Sequence, residues 1–198
     1  MDIDSFQKQE RFHIHQKITM MVNRYHVFTD VDGEPGDLVA FVEQKRMKFK
    51  EEVTLFTDES KNAVLGGFKA RKALDVSGSY DVKGPGGQPI GLFTKVFGKS
   101  LLRSTWQLEQ PGMPTVTASE RSGGLALFRR VWGLIPWIGD WPFPWKYHFE
   151  FVSGEQNVAS FEKKTRFRDH YLLQINEPVL DRTLVVAHAI ALDALQSR

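Results

Sequence analysis

Lysine and arginine recur at matching places along the chain: Lys69, Arg71 and Lys72, then Lys95 and Lys99, then Lys163, Lys164, Arg166 and Arg168. Each group closes a strand-like pattern that begins with an aromatic residue. Strands standing side by side would therefore set the groups at one height, as a cationic band near one end of a sheet or barrel. Such a band attracts anionic headgroups, with about 1 kcal/mol for each Lys or Arg near an acidic membrane surface. Neutralised by Glu120, Glu162 and Asp169, the same residues would be only the solvated face of ordinary strands. A second concentration of chemistry is aromatic. Residues Arg129–Lys146, RRVWGLIPWIGDWPFPWK, hold four of the five tryptophans: Trp132, Trp137, Trp141 and Trp145. Indole rings favour the headgroup layer of a membrane, and the flanking Arg129, Arg130 and Lys146 suit an interfacial segment. The same rings folded inward would instead plug an open barrel end or seal a protein contact. The plug is favoured, because soluble proteins seldom expose so many large aromatics.

The remaining candidates are weaker. His13 and His15 share one face of a strand pattern, as a metal pair could, with His26 as a third ligand if the first two strands pair. Zinc requires three or four such ligands in fixed geometry. Two histidines on the solvent face of an edge strand is the simpler expectation, and no metal is assigned. His188 sits mid-helix among apolar residues and is expected to be neutral, buried and bonded to a strand carbonyl or a lumen side chain. Asp30–Glu34 begins like a calcium loop but lacks the later acidic ligand, so a hairpin turn is expected. Gly84-Pro85-Gly86-Gly87 joins two strands and opens no helix, which argues against a phosphate cradle. No nucleophile elbow and no His-Glu-x-x-His pair is present. The chain has no cysteine, which excludes disulfides, thiol catalysis and thiolate metal sites. No catalytic residue and no cofactor is assigned, and a non-enzyme is expected.

The elements that must position these residues are mostly strands. At 41% hydrophobic and 25% charged, the 198 residues suit one soluble domain with a substantial core. Arg11–Ile18 alternates, with Phe12, Ile14 and Gln16 on one face. Asn23–Val31 alternates again and ends in Asp32-Gly33-Glu34-Pro35-Gly36, a turn signal. Leu38–Phe49 follows. Four segments then share one grammar of aromatic strand, turn, short strand and basic strand, beginning at Phe56, Tyr80, Trp106 and Phe149. The first three are 24 and 26 residues apart, and the fourth lies 43 further on, the gap being filled by the tryptophan-rich insertion 129–146. Tyr171–Ile175 is the last strand pattern. Asp181–Leu195, DRTLVVAHAIALDAL, is a helix whose core from Leu184 is apolar on every face except His188 and Asp193. A helix apolar all round belongs inside something. It runs about 22 Å, too short for a membrane span. These patterns predict a closed antiparallel barrel or sandwich wrapped around a C-terminal helix, as one domain over 1–198. The acidic N-terminal stretch lacks the character of a signal peptide, so a cytoplasmic protein is expected. The net charge of +2 gives no global case for nucleic acid.

The run LDVSGSYDVKGPGGQPIGLFTKVFGKSLLRSTWQLEQPG, with NRYHVF before it and PFPWKYHFEF after it, resembles the LURP-one-related proteins, relatives of phospholipid scramblases and of the tubby C-terminal domain. The likeness covers roughly residues 10 to 195, carried by the order of the pieces. It implies a closed, mainly β, 12-stranded antiparallel barrel enclosing the C-terminal helix. Because tubby relatives bind phosphoinositides through basic residues, it also implies a non-enzymatic phospholipid- or membrane-surface-binding protein, peripheral at the inner membrane face. The alternative is a protein-interaction module using the aromatic insertion. Small-molecule binding ranks third, since the helix should occupy the lumen. Lipid scrambling is not carried over, because a helix filling the barrel is not free to span a bilayer.

Overall fold

The computed structural model describes residues 2–18, 22–45, 52–71, 78–96, 104–121, 148–165 and 170–196. Two-residue alternation shapes nearly all of them. In Arg11–Ile18 (β1), Phe12 and Ile14 are buried, and in Val22–Val31 (β2) the inward set is Tyr25, Val27 and Thr29. Glu34–Lys45 (β3), Glu52–Phe56 (β4), Val64–Ala70 (β5) and Ser79–Lys83 (β6) follow. Then come Pro89–Lys95 (β7), Thr105–Glu109 (β8), Val116–Glu120 (β9), His148–Ser153 (β10), Gln156–Lys163 (β11) and His170–Ile175 (β12). Each strand pairs antiparallel with its neighbour in sequence, and β12 pairs with β1, so the barrel is closed with 12 strands. The mainly β barrel expected from the sequence is the fold observed. Closure corrects one expectation: β1 is not an edge strand, since Arg11–His15 pair with β12 and Phe12–Ile18 with β2.

Tight turns occupy one end. Between β2 and β3, Asp32 and Gly33 adopt φ of 54° and 90°, as a two-residue hairpin requires. The hairpins β4–β5, β6–β7, β8–β9 and β10–β11 turn at this same end. The connections β1–β2, β3–β4, β5–β6, β7–β8, β9–β10 and β11–β12 leave from the other. The aromatic grammar marks the hairpins correctly in three cases of four: Tyr80, Trp106 and Phe149 are each the second residue of their strand and point inward. In the first hairpin that inward place belongs to Val53, and Phe56 is the last residue of β4. A β-branched side chain fills the position as well as an aromatic one.

The C-terminal helix Arg182–Gln196 (α2) enters through the turn end and is buried from Arg182 to Ala194. Each fully buried Val, Leu or Ile contributes about 1.5–3 kcal/mol relative to exposure. The Asp181 carboxylate accepts from the Leu184 N–H at 3.0 Å and so caps the helix. The Arg182 guanidinium donates to the carbonyls of Gln9, Glu177, Pro178 and Leu180 at 2.7–3.2 Å, tying the approach to the helix to the chain that precedes β1. A short helix absent from the sequence reading, Ile3–Gln7 (α1), completes this end. Its Phe6 is buried against Phe12, and the Gln7 side-chain carbonyl accepts from the Arg182 N–H at 2.9 Å.

Candidate functional site

The topology sorts the charges of the chain. Residues 17–24, 43–52, 69–81, 95–106, 119–150, 162–171 and 193–198 include the described strand ends that meet the end opposite the turns, with the sequence between them. Counted along the sequence, they hold 21 of the 26 Lys and Arg but 11 of the 24 Asp and Glu. The rest of the chain keeps five basic residues against 13 acidic ones. Among the described residues of these segments nine are basic and seven acidic, so the described structure carries about +2 at this end and −8 toward the other. An extended array of one sign creates a potential that isolated pairs do not.

Of the nine basic residues singled out, Lys69, Arg71, Lys95, Lys163 and Lys164 are described, and all lie at the last residues of β5, β7 and β11 or just beyond. They share a height. Lys69 Nζ lies 3.6 Å from Glu52, Arg71 Nε 2.8 Å from Asp81 and Lys164 Nζ 2.9 Å from Glu162. Exposed pairs of this kind contribute about 0–1 kcal/mol, so a denser anionic surface can compete for them. Lys95 Nζ stands 5.7 Å from the Trp106 ring centroid. Lys163 is buried, with Nζ 5.8 Å from the centroid of the Tyr171 ring, because it has the same parity as the inward Ala159 and Phe161. Glu120 is also buried and so stands apart from the exposed pairs. Lys72, Lys99, Arg166 and Arg168 lie outside the described residues, as do Trp132, Trp137, Trp141 and Trp145. The insertion that carries these tryptophans joins β9 to β10, and both strands meet it at the basic end.

The histidines are placed differently from the sequence expectation. His13 is buried, with Nε2 2.8 Å from Asp30 Oδ2 and Nδ1 2.9 Å from Nε2 of His170 on β12. His15 and His170 meet edge to face, 4.3 Å between ring centroids. His26 turns instead to Glu59, 3.1 Å away. Burial, followed by the charges of His15, His13 and Lys164, holds His170 down at about 4. Burial and the neighbouring His13 and His26 hold His15 below the ordinary imidazole range. Among the described residues no three His, Asp or Glu are arranged to hold a metal. The sequence reading missed His170, whose neighbours in the fold are 155 and 157 positions away.

His188 is neutral, held at about 3 by complete burial. It bonds to nothing: Phe93, Trp106 and Phe151 surround the ring and both its nitrogens lack partners, contrary to the expected carbonyl or lumen bond. The polar partner inside the barrel is Asp193, which accepts from the hydroxyls of Tyr25, at 2.9 Å, and Tyr171. A shallow depression of about 310 Å³ lies at the turn end, bordered by Gln7, Gln110, Pro178 and Asp181.

A family model described as LURP-one-related matches residues 38–193, well over half of the chain. No curated protein matches it.

Proposed function

We propose that this chain, which belongs to the LURP-one-related family, is a non-enzymatic protein that docks reversibly on anionic phospholipid surfaces with the basic end of its barrel. The observation that supports this reading is that Lys69, Arg71, Lys95 and Lys164 meet one end of the barrel, while the described residues away from that end hold five basic against 13 acidic side chains. A charge separation of this kind orients the molecule before contact. Near the surface each unsatisfied Lys or Arg adds about 1 kcal/mol, lost within a Debye length and screened by salt. The exposed ion pairs of Lys69, Arg71 and Lys164 exchange their single carboxylates for a layer of phosphates at little cost. The lumen is occupied by α2, and no described helix is long and apolar enough to cross a membrane, so peripheral docking is the mode proposed. Polyanionic headgroups such as phosphoinositides would be preferred over singly charged ones for the same electrostatic reason.

Sedimentation with vesicles of neutral lipid, of 30% anionic lipid and of 5% phosphoinositide, each at low and high salt, tests the reading. Binding to charged vesicles at low salt and release at high salt are expected. The variant K69E/R71E/K164E should lose binding and keep its melting temperature. No binding by the wild type at low salt, or equal binding by the variant, would sink the proposal. A second reading, a protein-interaction module built on the tryptophan-rich insertion, is supported by the departure of that insertion from the same end. It predicts that W137A/W141A, not the charge variant, loses a protein partner.

A further inference from the structure

We infer that the imidazole cluster on the outer face of the β12–β1 seam is a proton-sensitive latch that holds the barrel closed at neutral pH and loosens this one seam in acid. The inference goes beyond lipid docking and does not depend on it. The seam joins the last strand to the first, and its ladder pairs His13 with Leu172 and His15 with His170. Two side-chain bonds cross it: Arg11 Nε to Gln174 Oε1, 3.0 Å, and, within the imidazole cluster, His13 Nδ1 to His170 Nε2, 2.9 Å. The other nitrogen of His13 faces the Asp30 carboxylate at 2.8 Å and must donate to it, because an ionised carboxylate only accepts.

With His13 neutral, its Nδ1 accepts from an Nε2–H of His170. With His13 protonated and balanced by Asp30, its Nδ1 donates to a bare His170 Nε2. In either state one proton occupies the shared contact. The first proton added to the neutral pair converts the one state into the other, or settles on the outer Nδ1 of His170, and keeps the contact. A second makes both rings cationic, leaves two N–H groups pointing at each other, and the imidazole bond across the seam is lost. Among the described residues, Asp30 is the carboxylate that meets these rings, and it already accepts from His13. His15 presses its ring against His170, and its buried Nε2 has no partner. Arg11 and Lys164 add positive charge beside Asp30 and His170, His26 faces His15 from β2, and its own carboxylate partner Glu59 is turned to it rather than to the seam.

The sign is fixed by the depressed affinities of His15 and His170 for protons. Above the unfolded value of about 6.5 both states are neutral and the seam is at full strength. As the pH falls from about 6.5 toward about 4, the open state takes protons that the closed state refuses, and protection is lost.

Amide exchange, corrected for its intrinsic pH dependence, at pH 7.5 and 5.0 provides the test. Protection in β1 and β12 should drop by roughly tenfold or more, while β6–β9 hold theirs. The variant H15F/H170Q, in which the Gln amide can still donate to His13, should keep its seam protection at both pH values. H148Q, distant from the cluster, should behave as wild type. Uniform loss over the barrel would point to His188 in the lumen instead and overturn the inference. So would unchanged wild-type protection, or equal loss in H15F/H170Q. Should that variant not fold, an NMR titration of the wild-type rings decides: a His170 midpoint near 6.5 overturns the latch, and one near 4 with seam-limited exchange supports it.

Discussion

His188 shows how one residue can be placed by its neighbours against its own chemistry. The α2 backbone commits it to the lumen, and Phe93, Trp106 and Phe151 surround it with rings that offer no acceptor in its plane. An imidazole buried with neither nitrogen paired forfeits about 1–3 kcal/mol of hydration. H188L, close in volume, should therefore raise stability by about that amount, read as the urea midpoint at pH 7.5. The acid limb should change too. The wild type refuses a proton at His188 down to about 3. Its stability therefore falls by about 1.4 kcal/mol per pH unit below the unfolded value of about 6.5, a contribution H188L lacks. A less stable H188L at neutral pH would mean that the ring is bonded after all.

Among the elements, α2 carries the fold. Twelve strands make a wall, and without the helix their inward faces have nothing to close on. Ile190 is fully buried, so I190D places an unpaired charge in the lumen and should cost several kcal/mol, comparable with the whole stability of a domain. The expected outcome is insoluble or unfolded protein. Normal melting would show that the helix packs outside. The wall has also been thinned where the helix enters. A Cβ on Gly91 would stand 2.5 Å from the Glu109 carbonyl oxygen and 2.9 Å from Leu184 Cδ2. The first of these is backbone and cannot turn away. G91V should lower stability by about 1–3 kcal/mol through overpacking, visible in the melting temperature, with the β7–β8 ladder and the first turn of α2 losing amide protection first.

At the scale of the whole molecule, the decisive property is that two ends of one barrel differ in charge and in loop length. Trp106 is buried in the lumen and should be silent toward added vesicles, so any change in tryptophan emission must come from the four indoles of the insertion. Docking by charge alone leaves those rings as a plug. Emission should then be blue in buffer and unmoved by anionic vesicles, and W137A/W141A should lose about 3–5 kcal/mol per buried ring. A vesicle-dependent blue shift, with the double variant still stable, would assign the insertion to the membrane interface instead.

What the sequence determined by itself is what short-range pattern can carry. An apolar stretch with no polar face had to be an interior helix, and Asp181 stands where an acid caps a helix or favours its first turn. Alternation laid down β1 and β2 and told Phe12, Ile14 and Gln16 from His13 and His15, while Asp32-Gly33 specified the turn. The recurrence of basic residues at one height was also legible, since equal hairpins set equal positions level. Tertiary structure alone decided the rest, because it depends on closure. Joining β12 to β1 brings His170 to His13 and turns a solvent-face histidine into a buried one. Parity along β11 sends Lys163 inward and leaves Lys164 outside, a choice that a register one residue different would reverse. The meeting of the described cations is of the same kind: Lys69, Arg71, Lys95 and Lys164 share one end because antiparallel pairing brings the last residues of β5, β7 and β11 to it.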